Sequence, residues 1–269
     1  MKIFNKRRLP HNLRILGSHI LKNSFNPFSL KSRLNSPSKV SDFFIWSPNF
    51  NKIEFIAENI NALLSGEEKE VLHEFIFYNK KGEFIRSYKY ETEKFFSKII
   101  LPANISKDKY ISFVHFAHSK LTLKEILKKV GVNKKLNISS QSRGYTIFYP
   151  NKSSIGSSVH GNLGGISSNN EKTLKQRSLF IYTPAYFFKK INCYDLVFNN
   201  PTNRNLLIKL TSLSNENLKE IIIKPMGTDY IQIKNFNGGI NIESKLPICR
   251  PFIFKNTPPK NLGFDVFHG

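Results

Sequence analysis

Two stretches of this chain, about half its length apart, carry the same succession of three short apolar runs. That repeat limits the available folds more than any single motif does. The first copy reads Phe75-Ile-Phe-Tyr78, a turn at Asn79-Lys-Lys-Gly82, an alternating run from Glu83 to Tyr90, and Phe95 to Leu101 before Pro102. The second reads Leu206 to Leu210, a turn at Ser214 to Asn217, Leu218 to Lys224, a break at Pro225 and Gly227, and Asp229 to Phe236. At a constant offset Phe84 aligns with Leu218, Phe96 with Tyr230 and Ile99 with Ile233. β-Branched and aromatic runs of this length, bounded by Gly, Asn and Pro, are strands, and several at short spacing make a sandwich or barrel. The expectation is a mainly β protein built from two related antiparallel β-sandwich-like halves.

At 269 residues the chain has room for two domains and a tail. The net charge of +22 invites a nucleic-acid reading, since a basic surface gains by releasing the counterions condensed on phosphates. Lys outnumbers Arg more than threefold, however, and Asn and Ile are abundant, which is what an adenine- and thymine-rich coding sequence gives whatever the protein does. Cys193 and Cys249 are too few for a disulfide framework and lack paired zinc spacing, so reduced thiols are expected. No apolar run has the length of a membrane span, and Pro10, His11, Arg14 and His19 interrupt the apolar positions a secretory leader would need. These features lead to the expectation of a cytoplasmic protein, with contact to a membrane surface open through its tail.

Residues 1–41 hold nine Lys or Arg and neither Asp nor Glu, a basic N-terminal extension. A helix opened by Pro10 would put Leu13, Leu16 and Ile20 on one face, a pattern suited to an anionic surface; the Ser, Asn and Pro clusters that follow favour disorder. Residues 42–118 form the first expected half and 171–269 the second. Between them, 119–170 reads as a connecting segment. Its short helix is signalled by Thr122 and Glu125 at capping-box spacing, by the apolar face of Leu123, Ile126, Leu127 and Val130, and by a stop at Gly131. A long Ser/Gly/Asn-rich loop at 150–170 follows. The prolines at 247, 251, 258 and 259 predict edge strands and irregular ends in the C-terminal segment.

Ser142-Arg-Gly-Tyr-Thr-Ile-Phe-Tyr149 supplies the candidate binding face. In a strand, Arg143, Tyr145, Ile147 and Tyr149 point together, giving a guanidinium fork for an anion beside two phenol plates. His160, next to Gly161 and Asn162 in the long loop, is the candidate partner, because flanking glycine lets backbone approach a ligand and a neutral imidazole can act near physiological pH. His115 and His118 are three apart, so in a strand they face opposite ways and make a poor metal pair; no metal and no cofactor is expected. There is no Gly-x-Ser-x-Gly elbow, no Gly-rich phosphate loop and no dinucleotide fingerprint, and the clustered carboxylates lie among lysines in polar turns.

The leading expectation is therefore a non-catalytic binding protein for a carbohydrate or small anionic ligand, using Arg143, Tyr145, Tyr149, His160 and Asn162. A second reading is an enzyme on sugars or their derivatives, with Arg143 holding an anion, a Tyr as acid and His160 as base. A third is nucleic-acid or anionic-membrane binding through residues 1–41.

Overall fold

A computed structural model describes residues 43–58, 70–119, 144–150, 153–162, 179–202, 204–246, 249–257 and 264–268. The basic extension, the predicted connecting helix and Arg143 lie outside the described residues. Eight strands come first: β1 (Phe43–Trp46), β2 (Lys52–Glu58), β3 (Val71–Tyr78), β4 (Phe84–Thr92), β5 (Phe96–Ile100), β6 (Ile111–Ser119), β7 (Gly144–Tyr149) and β8 (Ser157–His160). Eight more follow: β9 (Phe180–Tyr182), β10 (Cys193–Asn199), β11 (Leu206–Ser212), β12 (Asn217–Ile223), β13 (Thr228–Ile233), β14 (Ile240–Ser244), β15 (Phe252–Asn256) and β16 (Asp265–His268).

These strands make four antiparallel sheets, ordered β1-β6-β3-β4, β5-β2-β7-β8, β9-β14-β11-β12 and β13-β10-β15-β16. Adding eight to each strand of the first pair of sheets yields the second pair, neighbour for neighbour, so the internal repeat extends to the whole topology. In each half the hairpin β3–β4 or β11–β12 stays within a sheet, and the next strand, β5 or β13, crosses to the facing sheet. The first half takes its last two strands, β7 and β8, from the 119–170 stretch expected to connect the halves.

Period-two alternation explains each core. Phe44, Phe55, Phe75, Phe77, Phe113 and Phe148 project between the first two sheets, with Phe55 meeting Phe44 and Phe75 edge-on at 4.9 and 5.1 Å. Leu196, Phe198, Leu210, Ile231, Ile242 and Ile253 do the same between the second two. The halves are joined asymmetrically. One end of the first sandwich, formed by the β1–β2 loop, the β3–β4 turn and the segment before β6, packs on the outer face of sheet β13-β10-β15-β16. Phe50 and Tyr110 lie 5.9 and 4.9 Å from Phe254, ring to ring, and Tyr110 lies 5.3 Å from Tyr230. That sheet is consequently buried on both faces, which accounts for the unbroken burial of β10 from Tyr194 to Asn199.

Two expectations change here. β15 lies inside its sheet, between β10 and β16, and is not an edge strand. Pro251 stands just before its first residue, where no ladder donor is required. The expected long loop at 150–170 contains a strand, β8, held because Val159 is buried opposite Thr146 and because the Ser157 hydroxyl donates to Asp265 Oδ1 at 2.7 Å.

Candidate functional site

The outward face of sheet β5-β2-β7-β8 gathers most of the residues selected from sequence. On β7, Gly144, Thr146 and Phe148 point into the core, which turns Tyr145, Ile147 and Tyr149 outward. Antiparallel register then places His160 beside Tyr145, Ser158 beside Ile147 and Lys52 beside Tyr149. Tyr145 and His160 meet edge to face, with centroids 5.8 Å apart. From β5, Phe96, Lys98 and Ile100 point the same way, and Phe96 and Ile100 are 55% and 59% exposed.

Glu54 organises this face. It sits on the outer side of β2 yet is buried beneath its neighbours. Tyr149 donates its hydroxyl to Oε2 at 2.7 Å, Lys52 Nζ lies 2.9 Å from Oε1, and Lys98 Nζ lies 3.0 Å from Oε2. Burial alone would push the carboxyl up, but hydrogen bonds from Tyr149, Lys52 and Lys98 outweigh it and hold Glu54 below its ordinary value. The same bond, helped by burial, raises the Tyr149 phenol. Lys52 lies 4.1 Å above the Tyr149 ring, so one ammonium serves both an ion pair and a cation–π contact. The β7–β8 turn closes over this corner. A Cβ on Gly156 would stand 2.5 Å from Ile147 and 3.0 Å from the Tyr149 ring, so only glycine fits there.

Of the other selected residues, Asn162 lies off this face. Arg143 is outside the described residues. His160 has its imidazole exposed, and its backbone carbonyl faces His268 Nε2 at 2.8 Å. Asn162 is buried, pairs with the Phe43 backbone and donates its amide to the Arg250 carbonyl, so it holds the chain behind the face. His115 and His118 do project to opposite sides of β6. His115 bonds His73 at 2.9 Å, and His118 bonds Glu74 at 3.2 Å. Among the described residues no group of three ligating side chains could hold a metal ion, and no helix is long and apolar enough to cross a membrane.

Sequence reasoning passed over Lys52, Glu54 and Lys98. The signal was Lys-x-Glu in β2, which puts both charges on one face of a strand. It also missed Asp195, which joins the two halves. Its carboxylate accepts the Tyr110 hydroxyl at 2.7 Å, pairs with Lys109 at 2.7 Å and accepts from Gln232 at 3.0 Å.

No protein-family description matches the chain, and no curated protein matches it. Among solved structures, a likeness was found to the M60 catalytic domain with the CBM51-1 and CBM51-2 domains of ZmpB from Clostridium perfringens. It has 9% identity and a TM-score of 0.19, and covers 77% of this chain and 32% of that one. The chain thus spans about a third of that structure's length, and a likeness at this level carries no argument about fold or function.

Proposed function

We propose that the protein is a non-catalytic binding protein for a carbohydrate, neutral or acidic, held on the outward face of sheet β5-β2-β7-β8. The observation that supports this reading is the placement of Tyr145, Tyr149 and His160 together on an open sheet face, flanked by two lysines and two exposed apolar side chains. Phenol rings offer flat apolar plates to the C–H faces of a pyranose, while hydroxyl, imidazole and ammonium groups serve its hydroxyls or a carboxylate. An exposed apolar patch rimmed by polar groups is a usual mark of a binding surface. Lys52, Lys98 and Tyr149 are already braced against Glu54, so little ordering is required of them when a ligand arrives.

The same bracing favours binding over turnover. Tyr149 is raised and committed to a lowered carboxylate, a poor arrangement for an acid working near neutral pH. The test is a thermal-shift screen of the full chain against neutral and acidic oligosaccharides, with Tyr145→Ala as control. Binding to the native state raises the melting temperature by mass action. A shift that disappears in Tyr145→Ala is the expected result; no shift across the panel overturns the proposal.

A further inference from the structure

We infer that this chain associates head to tail with further copies of itself, the free end of the second sandwich docking on the outward face of sheet β5-β2-β7-β8. The inference rests on the internal repeat and stands independently of the carbohydrate reading. Sheets β5-β2-β7-β8 and β13-β10-β15-β16 are topological equivalents, and their registers superpose row on row. The outward row Ile100, Glu54, Ile147, Ser158 corresponds to Gln232, Asp195, Phe254, Val266. The adjacent row Lys98, Ile56, Tyr145, His160 corresponds to Tyr230, Val197, Phe252, His268. Two independent coincidences fix this alignment, since each sheet has one buried acid at the same node and one histidine at the same edge.

In the second half this face is occupied. The end of the first sandwich seats Phe50 and Tyr110 on Phe254, bonds Asp195 through Tyr110 and Lys109, and sets Lys80 O against the Thr228 N–H at 3.2 Å. In the first half the equivalent face is open, with Phe96 and Ile100 exposed. The complementary surface is open too. The equivalent end of the second sandwich consists of the β9–β10 loop, the β11–β12 turn and the segment before β14. Backbone bonds between Phe188 and Gly238, at 2.9 and 3.0 Å, and from Leu213 N–H to Gly239 O, at 3.3 Å, tie these together. The Tyr194 hydroxyl accepts from the Lys189 N–H and the Asn192 amide, fixing the loop that carries Phe187 and Ile191. Phe187, Ile191 and Leu213 stand 57%, 68% and 58% exposed on this end, where Phe50 and Tyr110 of the first sandwich are covered.

The molecule thus has one socket and one plug left over from the contact that it makes internally. Such a contact joins two different surfaces, so it adds copies one after another and closes only if the rotation permits. Gly238 and Gly239 occupy the region corresponding to Lys109 and Tyr110, so the incoming end brings no lysine–tyrosine pair there. None is required, because Lys52, Lys98 and Tyr149 already satisfy Glu54.

Sedimentation velocity on the full chain over a concentration series, with Ile100→Lys and Phe187→Asp, is the test. Both side chains are exposed, and circular dichroism is the control for folding of the variants. The wild type should grow past a dimer, each variant alone should stay monomeric, and an equal mixture should stop at a dimer, since one variant keeps its plug and the other its socket. A wild type that remains monomeric throughout, variants that still associate alone, or a mixture that stays monomeric overturns the inference. A saccharide that binds should dissolve the assemblies, because both would occupy the same sheet face. Assembly with no saccharide shift would end the ligand reading alone, and a saccharide shift on a chain that never assembles would end the self-association alone.

Discussion

Acidification should destabilise the first sandwich through a buried histidine pair. His73 and His115 lie inside the core on β3 and β6, hydrogen bonded Nδ1 to Nε2 at 2.9 Å and stacked at 17°, with Thr92 Oγ1 2.8 Å from His73 Nε2. The rings of Phe55 and Phe75 flank His115 at 4.7 and 4.9 Å. Burial, with repulsion from His118, pushes His73 down to about 4, and burial with the neighbouring imidazoles pushes His115 well below its ordinary value. Unfolding returns both to about 6.5. The unfolded state therefore binds protons in a window where the folded state does not, so the stabilisation is complete above pH 6.5 and is lost as pH falls toward 4. At roughly 1.4 kcal/mol per pH unit, His73 alone removes about 2 kcal/mol between pH 7 and 5 and about 3 kcal/mol by pH 4. His268, also pushed down to about 4 by burial, adds to the slope. Urea unfolding at pH 7, 6 and 5 measures the loss. The double variant His73→Leu/His115→Phe removes both partners together, which costs far less than orphaning one. It should abolish most of the slope and leave the part due to His268. A double variant that retains the full slope, or a wild type equally stable at pH 7 and 5, would refute the assignment of neutral buried imidazoles.

Four further outcomes follow from named contacts. Tyr110→Phe leaves Asp195 with Lys109 and Gln232 but one donor short, and should cost about 1–2 kcal/mol in urea unfolding at pH 7. Gly82 has a φ of +82° and a Cβ there would lie 1.9 Å from Pro225 O, so Gly82→Ala should cost more than about 1 kcal/mol and loosen the contact between the halves, read as faster hydrogen exchange at Thr228. Tyr149→Phe removes a donor that lowers Glu54, so the carboxyl should titrate at higher pH in a carbon-13 NMR titration. Cys249 is buried and its thiol is pushed up to about 12, so a disulfide exchange reagent should reach it only after unfolding, while half-buried Cys193 reacts earlier.

Strand positions were legible because their cause is local: alternation and turn chemistry mark β3 to β5 and β11 to β13 in the bare sequence. The alignment of those runs was less so. Matching Phe96 with Tyr230 chooses the right face, but the sheet registers put Lys98 there, two residues on. A period-two pattern matches itself at every even shift, and only pairing with β2 and β10 selects among them. His160 read as a loop residue because Ser and Gly surround it; residues 157–160 form a strand by pairing with β7, and Ser157 is further anchored by Asp265 and Val266, which no local window contains. Tyr145 and Tyr149 were found by alternation, whereas Glu54 was not, because Lys-x-Glu in β2 marks only a shared face, and its weight appears when Tyr149 from β7 and Lys98 from β5 converge on the acid.

Alternation tells which residues share a face without telling whether that face meets solvent or protein, and the two halves resolve this differently on the same frame. Asp195 and Glu54 occupy equivalent nodes and both are buried carboxylates with a tyrosine hydroxyl at 2.7 Å. Asp195 receives its tyrosine and lysine from the docked first sandwich, whereas Glu54 receives them from its own sheet. A buried acid without compensation is costly, so a face that must stay stable while open has to carry its own donors. Glu54 meets that requirement, and in doing so it spreads lysine and tyrosine over an otherwise apolar sheet. The chemistry on which the proposed saccharide reading rests is thus the same chemistry that lets this face persist uncovered. Ile100→Lys and Tyr145→Ala separate the two uses, because Ile100 lies over the apolar side near β5 and Tyr145 over the aromatic side near β8. Ile100→Lys should lose association while keeping saccharide binding, and Tyr145→Ala should lose saccharide binding first.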